Sequence, residues 1–348
     1  NKLHVNLLPK LMNCITTIGK HESTVLEQVV LQIMECVVEF INSYSNSNNS
    51  NISSSSQKDI RTVIENVINI LYNKHNEQIP KLIDVLFKLI SYATLPKGSV
   101  DNTVNDGDKS GNISSTGETE DLTECIKLLK TVIDTLEDKY IPYIPQTETT
   151  ILSLLNTTTY HILKVHYAEV LASVIKVQRT LQQQEKLKQK SQQYITIIKN
   201  IIDKDCHFSN VRKLYISLGD IIASASFTYD KADLESLTGI LVENLSKTQI
   251  YFFDLVKKIH THESSTNNNN NNGDNNNSDN DDDDNDSFKV LYREQIQEVN
   301  AVQANIIECI ENILKGNNNA PLSSSSSTNK YYNIFITLSE KVIPTLYT

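Results

Sequence analysis

Apolar residues recur along this chain at intervals of three and four, and no other feature limits its fold as strongly. The spacing is clearest over residues 60–71, 79–93, 209–226 and 232–259. A recurrence near 3.6 residues places these side chains on one face of a helix, which must then be buried. Glycine is scarce and tryptophan is absent, which is unusual for a sheet-rich protein. The sequence therefore predicts an all-α fold.

The predicted helices come in pairs. One member of a pair tends to carry proline near its start, as at Pro9, Pro80, Pro142 and Pro145. Proline is tolerated there because the first-turn N–H has no partner within the helix. A pair of amphipathic helices every ~40–47 residues is typical of HEAT and armadillo repeats. One pair cannot bury its own faces, so the pairs must stack. We therefore expect residues 1–348 to form an α-α superhelix, a solenoid of HEAT-type pairs.

Four tracts of low complexity interrupt the helical pattern. They cover about residues 42–57, 97–119, 263–286 and 316–329, and they are rich in Asn, Ser, Gly and Asp. Such segments bury too little apolar surface to offset the entropy lost on ordering. The sequence predicts disordered loops at these four places.

The formal charge of −10 is concentrated in one tract. Seven aspartates lie between residues 274 and 286, and the rest of the chain carries only −3. A nucleic-acid-binding domain needs a basic face, and the short basic cluster Lys186–Lys190 reads more plainly as a solvated helix end. We expect no direct contact with nucleic acid.

The cysteines and the hydropathy indicate an intracellular chain. The five cysteines are odd in number and widely separated, which argues against a disulfide framework and a cysteine-based metal site. No apolar run of membrane-spanning length is present, so we expect no membrane association. The chain opens at Asn1 and a predicted helix runs into Thr348, so we expect it to be a piece of a longer protein.

Several segments, in their order along the chain, resemble the karyopherin-β (importin-β) superfamily of nuclear transport receptors. The most similar branch is importin beta-3. These segments are VLEQVVLQIMECVVEF at 25–40, the helix before a long loop at 73–98, the junction at 123–144, ADLESLTGILVENL at 232–245, the acidic residues at 281–286, the helix at 289–315, and IFITLSEKVIPTL at 334–346.

This resemblance implies a function. The family's superhelix binds basic cargo and the GTP-bound Ran GTPase, while phenylalanine-glycine repeats of nucleoporins dock between its outer helices. By resemblance, the cargo would be ribosomal proteins or histones, and the protein would shuttle between cytoplasm and nucleus through the nuclear pore. The alternative is a HEAT-repeat scaffold of another complex, such as a phosphatase regulatory subunit or a chromosome-organising subunit.

Two surfaces are candidates for these contacts. The acidic run of Asp281, Asp282, Asp283, Asp284 and Asp286 would attract Lys- and Arg-rich cargo, although a solvated linker explains it as well. Tyr251, Phe252 and Phe253 cannot all face one side of a helix, so one would be exposed as a groove for a phenylalanine-glycine peptide. Ordinary packing is the plainer reading of these aromatics.

No catalytic or metal site is predicted. His161 and His166 are five residues apart and do not share a helical face well, so zinc is not expected. His260 and His262 are better read as charges near a helix end. The run Asp205–Cys206–His207 reads as a turn rather than a nucleophile with its base. We therefore expect neither a cofactor nor an enzymatic activity.

Overall fold

The computed structural model describes Gln32 and residues 54–74, 76–94, 115–181, 183–204, 207–269 and 281–315. These residues form nine α-helices joined by short 3₁₀ segments and turns, with no β-strand among them. The prediction of an all-α fold is confirmed for this part of the chain. The chain divides into two compact units, Asn1–Val177 and Gln178–Thr348.

The first unit contains α1 (Ser54–Lys74), α2 (Ile79–Thr94), α3 (Ser115–Leu136), α4 (Ile144–Thr157) and α5 (His161–Gln178). Helix α3 packs against both α1 and α2. The apolar positions predicted over 60–71 and 79–93 fall within α1 and α2, and those whose side chains are described are buried. Proline lies near the start of α2 (Pro80) and of α4 (Pro145), as the sequence predicts.

A buried ion pair joins α1 to α3. The Arg61 guanidinium lies 3.3 Å from Asp121 Oδ1, and both side chains are almost entirely buried. Arg61 Nη1 also lies 3.8 Å from the Sγ of Cys125, one turn further along α3. Burial raises the pKa of the Cys125 thiol to about 11, although the neighbouring arginine acts in the opposite direction. Cys125 is therefore a neutral core thiol at pH 7.

The turn from α3 to α4 is an irregular 3₁₀ segment, Glu137–Tyr143. Glu137 has a φ of 47°, in the left-handed region that favours glycine. The buried hydroxyl of Tyr140 lies 2.6 Å from that of Thr147 in the first turn of α4. The Lys139 ammonium donates to the Tyr72 carbonyl oxygen at the end of α1 and lies 3.9 Å from the centre of the Tyr72 ring. These contacts tie the turn to α1 and α4.

The second unit contains α6 (Gln184–Ile202), α7 (Phe208–Ala225), α8 (Lys231–Asn269) and α9 (Asp281–Lys315). The predicted stripes over 209–226 and 232–259 correspond to α7 and to the first two thirds of α8. Helix α7 packs against α6 and α9, and α8 packs against α9. The unit thus consists of two helix pairs, α6–α7 and α8–α9.

Helices α7 and α9 run in the same direction through a buried contact. The Cys309 thiol donates to the carbonyl oxygen of Tyr215 over 3.3 Å, and Asn312 Nδ2 donates to that of Gly219 over 3.3 Å. The residue numbers rise together on the two helices, which fixes their direction. A Cβ added at Gly219 would lie 3.4 Å from the Cys309 sulfur, at the short end of ordinary van der Waals contact.

A polar and partly exposed contact joins the start of α6 to the start of α8. Lys188 lies 3.0 Å from Asp230 and 2.7 Å from Asp233, and Gln192 donates to Asp233 over 2.9 Å. The Tyr229 hydroxyl donates to Ser191 over 2.8 Å beneath these groups. The two helix pairs are therefore joined by the packing of α7 on α9 and by the polar contact between the starts of α6 and α8.

The helices extend into the tracts expected to be loops. Residues 54–57 belong to α1, 115–119 to α3, 263–269 to α8 and 281–286 to α9. These ends of the expected loops are helical instead. Extending a helix that has already formed costs little free energy, and polar residues are favoured at helix ends. Residues 42–53, 97–114, 270–280 and 316–329 of these tracts lie outside the described residues.

Candidate protein-interaction surface

An exposed apolar surface lies on α8. Ile250, Tyr251 and Phe253 expose 64%, 38% and 47% of their areas, and we call these three residues together with Phe208 the aromatic patch. Ile250 and Phe253 are three residues apart and therefore share a helical face. Phe252 is half-buried and its ring lies edge-on to that of Phe253, with centroids 5.8 Å apart.

The patch continues onto α7. The rings of Phe208 and Tyr251 stack with their centroids 4.9 Å apart. Beside them is a cleft of about 240 Å³, lined by both rings and by His207, Ser209, Gln295 and Glu298. The cleft is therefore aromatic on one side and polar on the other.

The aromatic cluster predicted at 251–253 thus divides between two environments. Tyr251 and Phe253 are exposed, whereas Phe252 is half-buried, in agreement with the expectation that the three rings cannot share one side. Phe208, which no sequence argument selected, joins the patch through the contact of α7 with α8. The only sequence feature that could have indicated Phe208 is its position at the first residue of a helix.

The acidic run lies elsewhere on the same helix pair. Asp281, Asp282, Asp283, Asp284 and Asp286 form the first turns of α9, and their side chains lie outside the described part. Carboxylates at a helix N-terminus interact favourably with the helix dipole, which gives the run a structural role of its own. Twelve residues of helix separate Asp283 from Gln295, so at 1.5 Å per residue the run and the cleft lie about 18 Å apart along α9.

The histidine side chains that the structure describes are spread over α5, α8 and the residue before α7. His161 begins α5, while His166 is buried and lies 2.8 Å from the Glu169 carboxylate through Nδ1. His260 is exposed on α8, and the side chain of His262 lies outside the described part. His207 precedes α7, and Asp205 and Cys206 lie outside the described residues.

Searches for a metal site and for membrane-spanning helices gave no candidate in the described ranges. Across these ranges, no three or more His, Cys, Asp and Glu side chains are grouped so as to hold a metal ion. None of the helices that the structure describes is both long enough and apolar enough to cross a membrane.

Comparison with known proteins gives no family assignment. The sequence matches no protein-family model and no curated protein.

Proposed function

We propose that this chain is part of a HEAT-type solenoid whose work is to bind other proteins. The support is the packing of the second unit, where α7 and α9 lie side by side and run in the same direction, and polar side chains join the starts of α6 and α8. Repeating this step adds one pair after another and leaves a surface open along the array. Such surfaces bind proteins rather than enclose a reacting substrate.

We further propose that the array serves as a segment of a nuclear import receptor. The aromatic patch carries this proposal, because a protein seldom leaves adjacent large apolar side chains exposed without a partner. A phenylalanine-glycine repeat fits the patch, since its phenyl ring would stack on Tyr251 and Phe208 while the glycines keep the peptide thin. The resemblance of residues 232–245 and 289–315 to the importin beta-3 branch supports the same function.

In this proposal, the acidic run at the start of α9 attracts basic cargo. Five carboxylates within six residues raise the local concentration of Lys- and Arg-rich segments, and salt weakens that attraction. Ran in its GTP-bound form releases cargo if the two ligands favour different curvatures of the array. The distance of about 18 Å along α9 between the run and the cleft lets cargo and nucleoporin repeats bind together.

Peptide binding tests the role of the aromatic patch. We expect a phenylalanine-glycine repeat peptide to bind the chain, and the variant Tyr251→Ser to bind it at least about tenfold more weakly, as truncation of an anchoring side chain does. Ile216→Ser is the matched control, because Ile216 on α7 is 43% exposed and lies outside the patch. Equal binding by the patch variant and the control would remove the basis of the proposal.

Cargo binding tests the acidic run in the complete protein. We expect the replacement of its five aspartates by asparagine to weaken binding of a histone-tail or ribosomal-protein peptide, and to flatten the salt dependence of that binding. The control neutralises the same number of exposed carboxylates elsewhere on α8 and α9: Asp254, Glu294, Glu298, Glu308 and Glu311. Ran in its GTP-bound form should release the cargo.

The same experiments separate the import receptor from a scaffold of another complex. If Ran did not affect cargo binding, and a phosphatase catalytic subunit or a chromosome-organising complex co-purified with this protein, the scaffold function would replace the import function. The proposal of a helical array would still hold.

A further inference from the structure

We propose that residues 331–343 of this chain dock as a helix on the α8–α9 pair and cover Ile250, Phe253 and Ile307. These three side chains are 64%, 47% and 42% exposed, and we call the surface that they form the distal face. Residues 331–343 lie outside the described part of the chain. Docking on the distal face leaves Tyr251 and Phe208 open to a peptide, and it does not depend on the import function.

The distal face points away from α7. On α8, Tyr251 stacks on a ring of α7, and on α9 the Cys309 thiol donates to a backbone oxygen of α7. A helix turns by about 100° per residue, so side chains two positions apart lie almost opposite each other. Phe253 is two residues after Tyr251, and Ile307 is two residues before Cys309. Both therefore lie on the side away from α7, and Ile250 shares the face of Phe253.

The exposed residues lie at nearby levels along the two helices. Gln303 of α9 donates to Gln249 of α8 over 2.9 Å, which sets the register of the pair. The helices run in opposite directions, because the chain that links them extends over at most about 43 Å, whereas parallel helices in this register would need roughly 60 Å. Phe253 and Ile307 lie four residues beyond the bonded glutamines, in opposite directions, so they are about 12 Å apart along the pair.

The spacing of residues 331–343 predicts a helix with one apolar face. The apolar residues of this face recur at intervals of three and four and fall within about a third of the helix circumference: Tyr331, Ile334, Phe335, Leu338 and Val342. Pro344 disfavours the helical conformation of the residue before it, so the predicted helix ends there. A helix over 331–343 is about 20 Å long, which is enough to cover both Phe253 and Ile307.

The short tether favours this segment over a separate protein. Residues 316–330 join the end of α9 to the segment, and they can extend over up to about 50 Å, far enough to reach any part of the distal face. A short tether gives an effective concentration in the millimolar range, which a separate partner seldom reaches. Burying the apolar side of the segment against the distal face removes both from water, which is favourable. The segment therefore docks without help from another chain.

An introduced tryptophan measures the docking, because the chain has none of its own. Phe253→Trp and Ile307→Trp, made one at a time in the full chain, place an indole at either end of the distal face, and acrylamide quenching of its fluorescence measures its exposure. Leu338→Asp puts a charge on the apolar side of the segment and should release it, and the milder Leu338→Ser should act in the same direction. We expect Leu338→Asp to raise the quenching constant at both positions at least about twofold.

Two matched variants control for specificity. Ile336 is two residues from Leu338 and lies on the opposite side of the predicted helix, so Ile336→Asp should leave the quenching of both indoles unchanged. Ile216→Trp places the indole on α7, at a position that is 43% exposed and lies outside the distal face. Its quenching should not respond to Leu338→Asp.

Any of three results would overturn the proposal. The first is equal quenching with and without the substitutions at Leu338, in chains that stay helical by circular dichroism. The second is an equal effect of Ile336→Asp, which would show that no particular side of the segment contacts the indole. The third is protection of the indole that disappears on dilution, which would assign the distal face to a second copy of the chain.

Discussion

Replacing Asp121 by asparagine removes the negative charge that pairs with Arg61 between α1 and α3. Asparagine keeps the shape of the side chain, so any loss of stability is electrostatic. Both partners are about nine-tenths buried, and a charge left alone in such a place costs about 3–5 kcal/mol. The separation of 3.3 Å exceeds the ~2.7–2.9 Å of a strong charged hydrogen bond, so we take the lower end, about 3 kcal/mol.

Cysteine labelling measures this loss separately in each unit. Cys125 belongs to the first unit and Cys309 to the second, and both are buried, so each thiol reacts only when its surroundings open. A loss of about 3 kcal/mol in the first unit corresponds to labelling of Cys125 roughly a hundredfold faster. Pulsed alkylation followed by peptide mass spectrometry reads both sites in one sample, and Cys309 serves as the internal control.

The double variant Arg61→Met, Asp121→Leu separates charge from packing. Because a buried ion pair replaced by apolar side chains is often neutral in its effect, this variant should recover most of the protection of Cys125. If Asp121→Asn left the rate of Cys125 labelling unchanged, the ion pair would not contribute to the stability of the first unit. If both cysteines became equally reactive, the two units would not open independently. Either result would refute the reasoning.

Two further predictions concern the backbone and the response to acid. Glu137→Gly should raise the thermal stability of the first unit by up to about 1 kcal/mol, because glycine adopts the observed φ of 47° without strain, whereas Glu137→Val should lower it; calorimetry measures both. Hydrogen bonds from the Asp233 backbone N–H and then from Lys188 lower the pKa of Asp230 to about 2. Because this pKa is depressed on folding, the stability that Asp230 contributes is present above about pH 4 and is lost as the pH falls towards 2. The variant Asp230→Asn should therefore be less stable than the natural chain at pH 5 and equal to it below pH 2 in acid titrations followed by circular dichroism.

The sequence predicts the helices well where apolar residues recur. The pattern over 79–93 matches α2 (Ile79–Thr94) almost to the residue, because the buried face extends from the first turn of the helix to the last. Prediction fails at the polar tracts, where α8 continues to Asn269 and α9 begins at Asp281. Residues 263–269 and 281–286 include no apolar residue, so apolar periodicity cannot indicate a helix there.

The candidate sites were predictable only in part. Three adjacent aromatics must diverge around a helix, which anticipates the exposed Tyr251 and Phe253. The contribution of Phe208 was not predictable, because its contact with Tyr251 depends on how two helices distant in the sequence pack together.

The two contacts between the helix pairs of the second unit differ in their mechanics. The α7–α9 edge is sealed from water around Gly219 and Cys309, so ions in solution scarcely affect it. The α6–α8 edge is held by Lys188 and carboxylates that water reaches, so dissolved ions weaken it. Added salt should therefore weaken the contact between the starts of α6 and α8 while the contact between α7 and α9 stays intact.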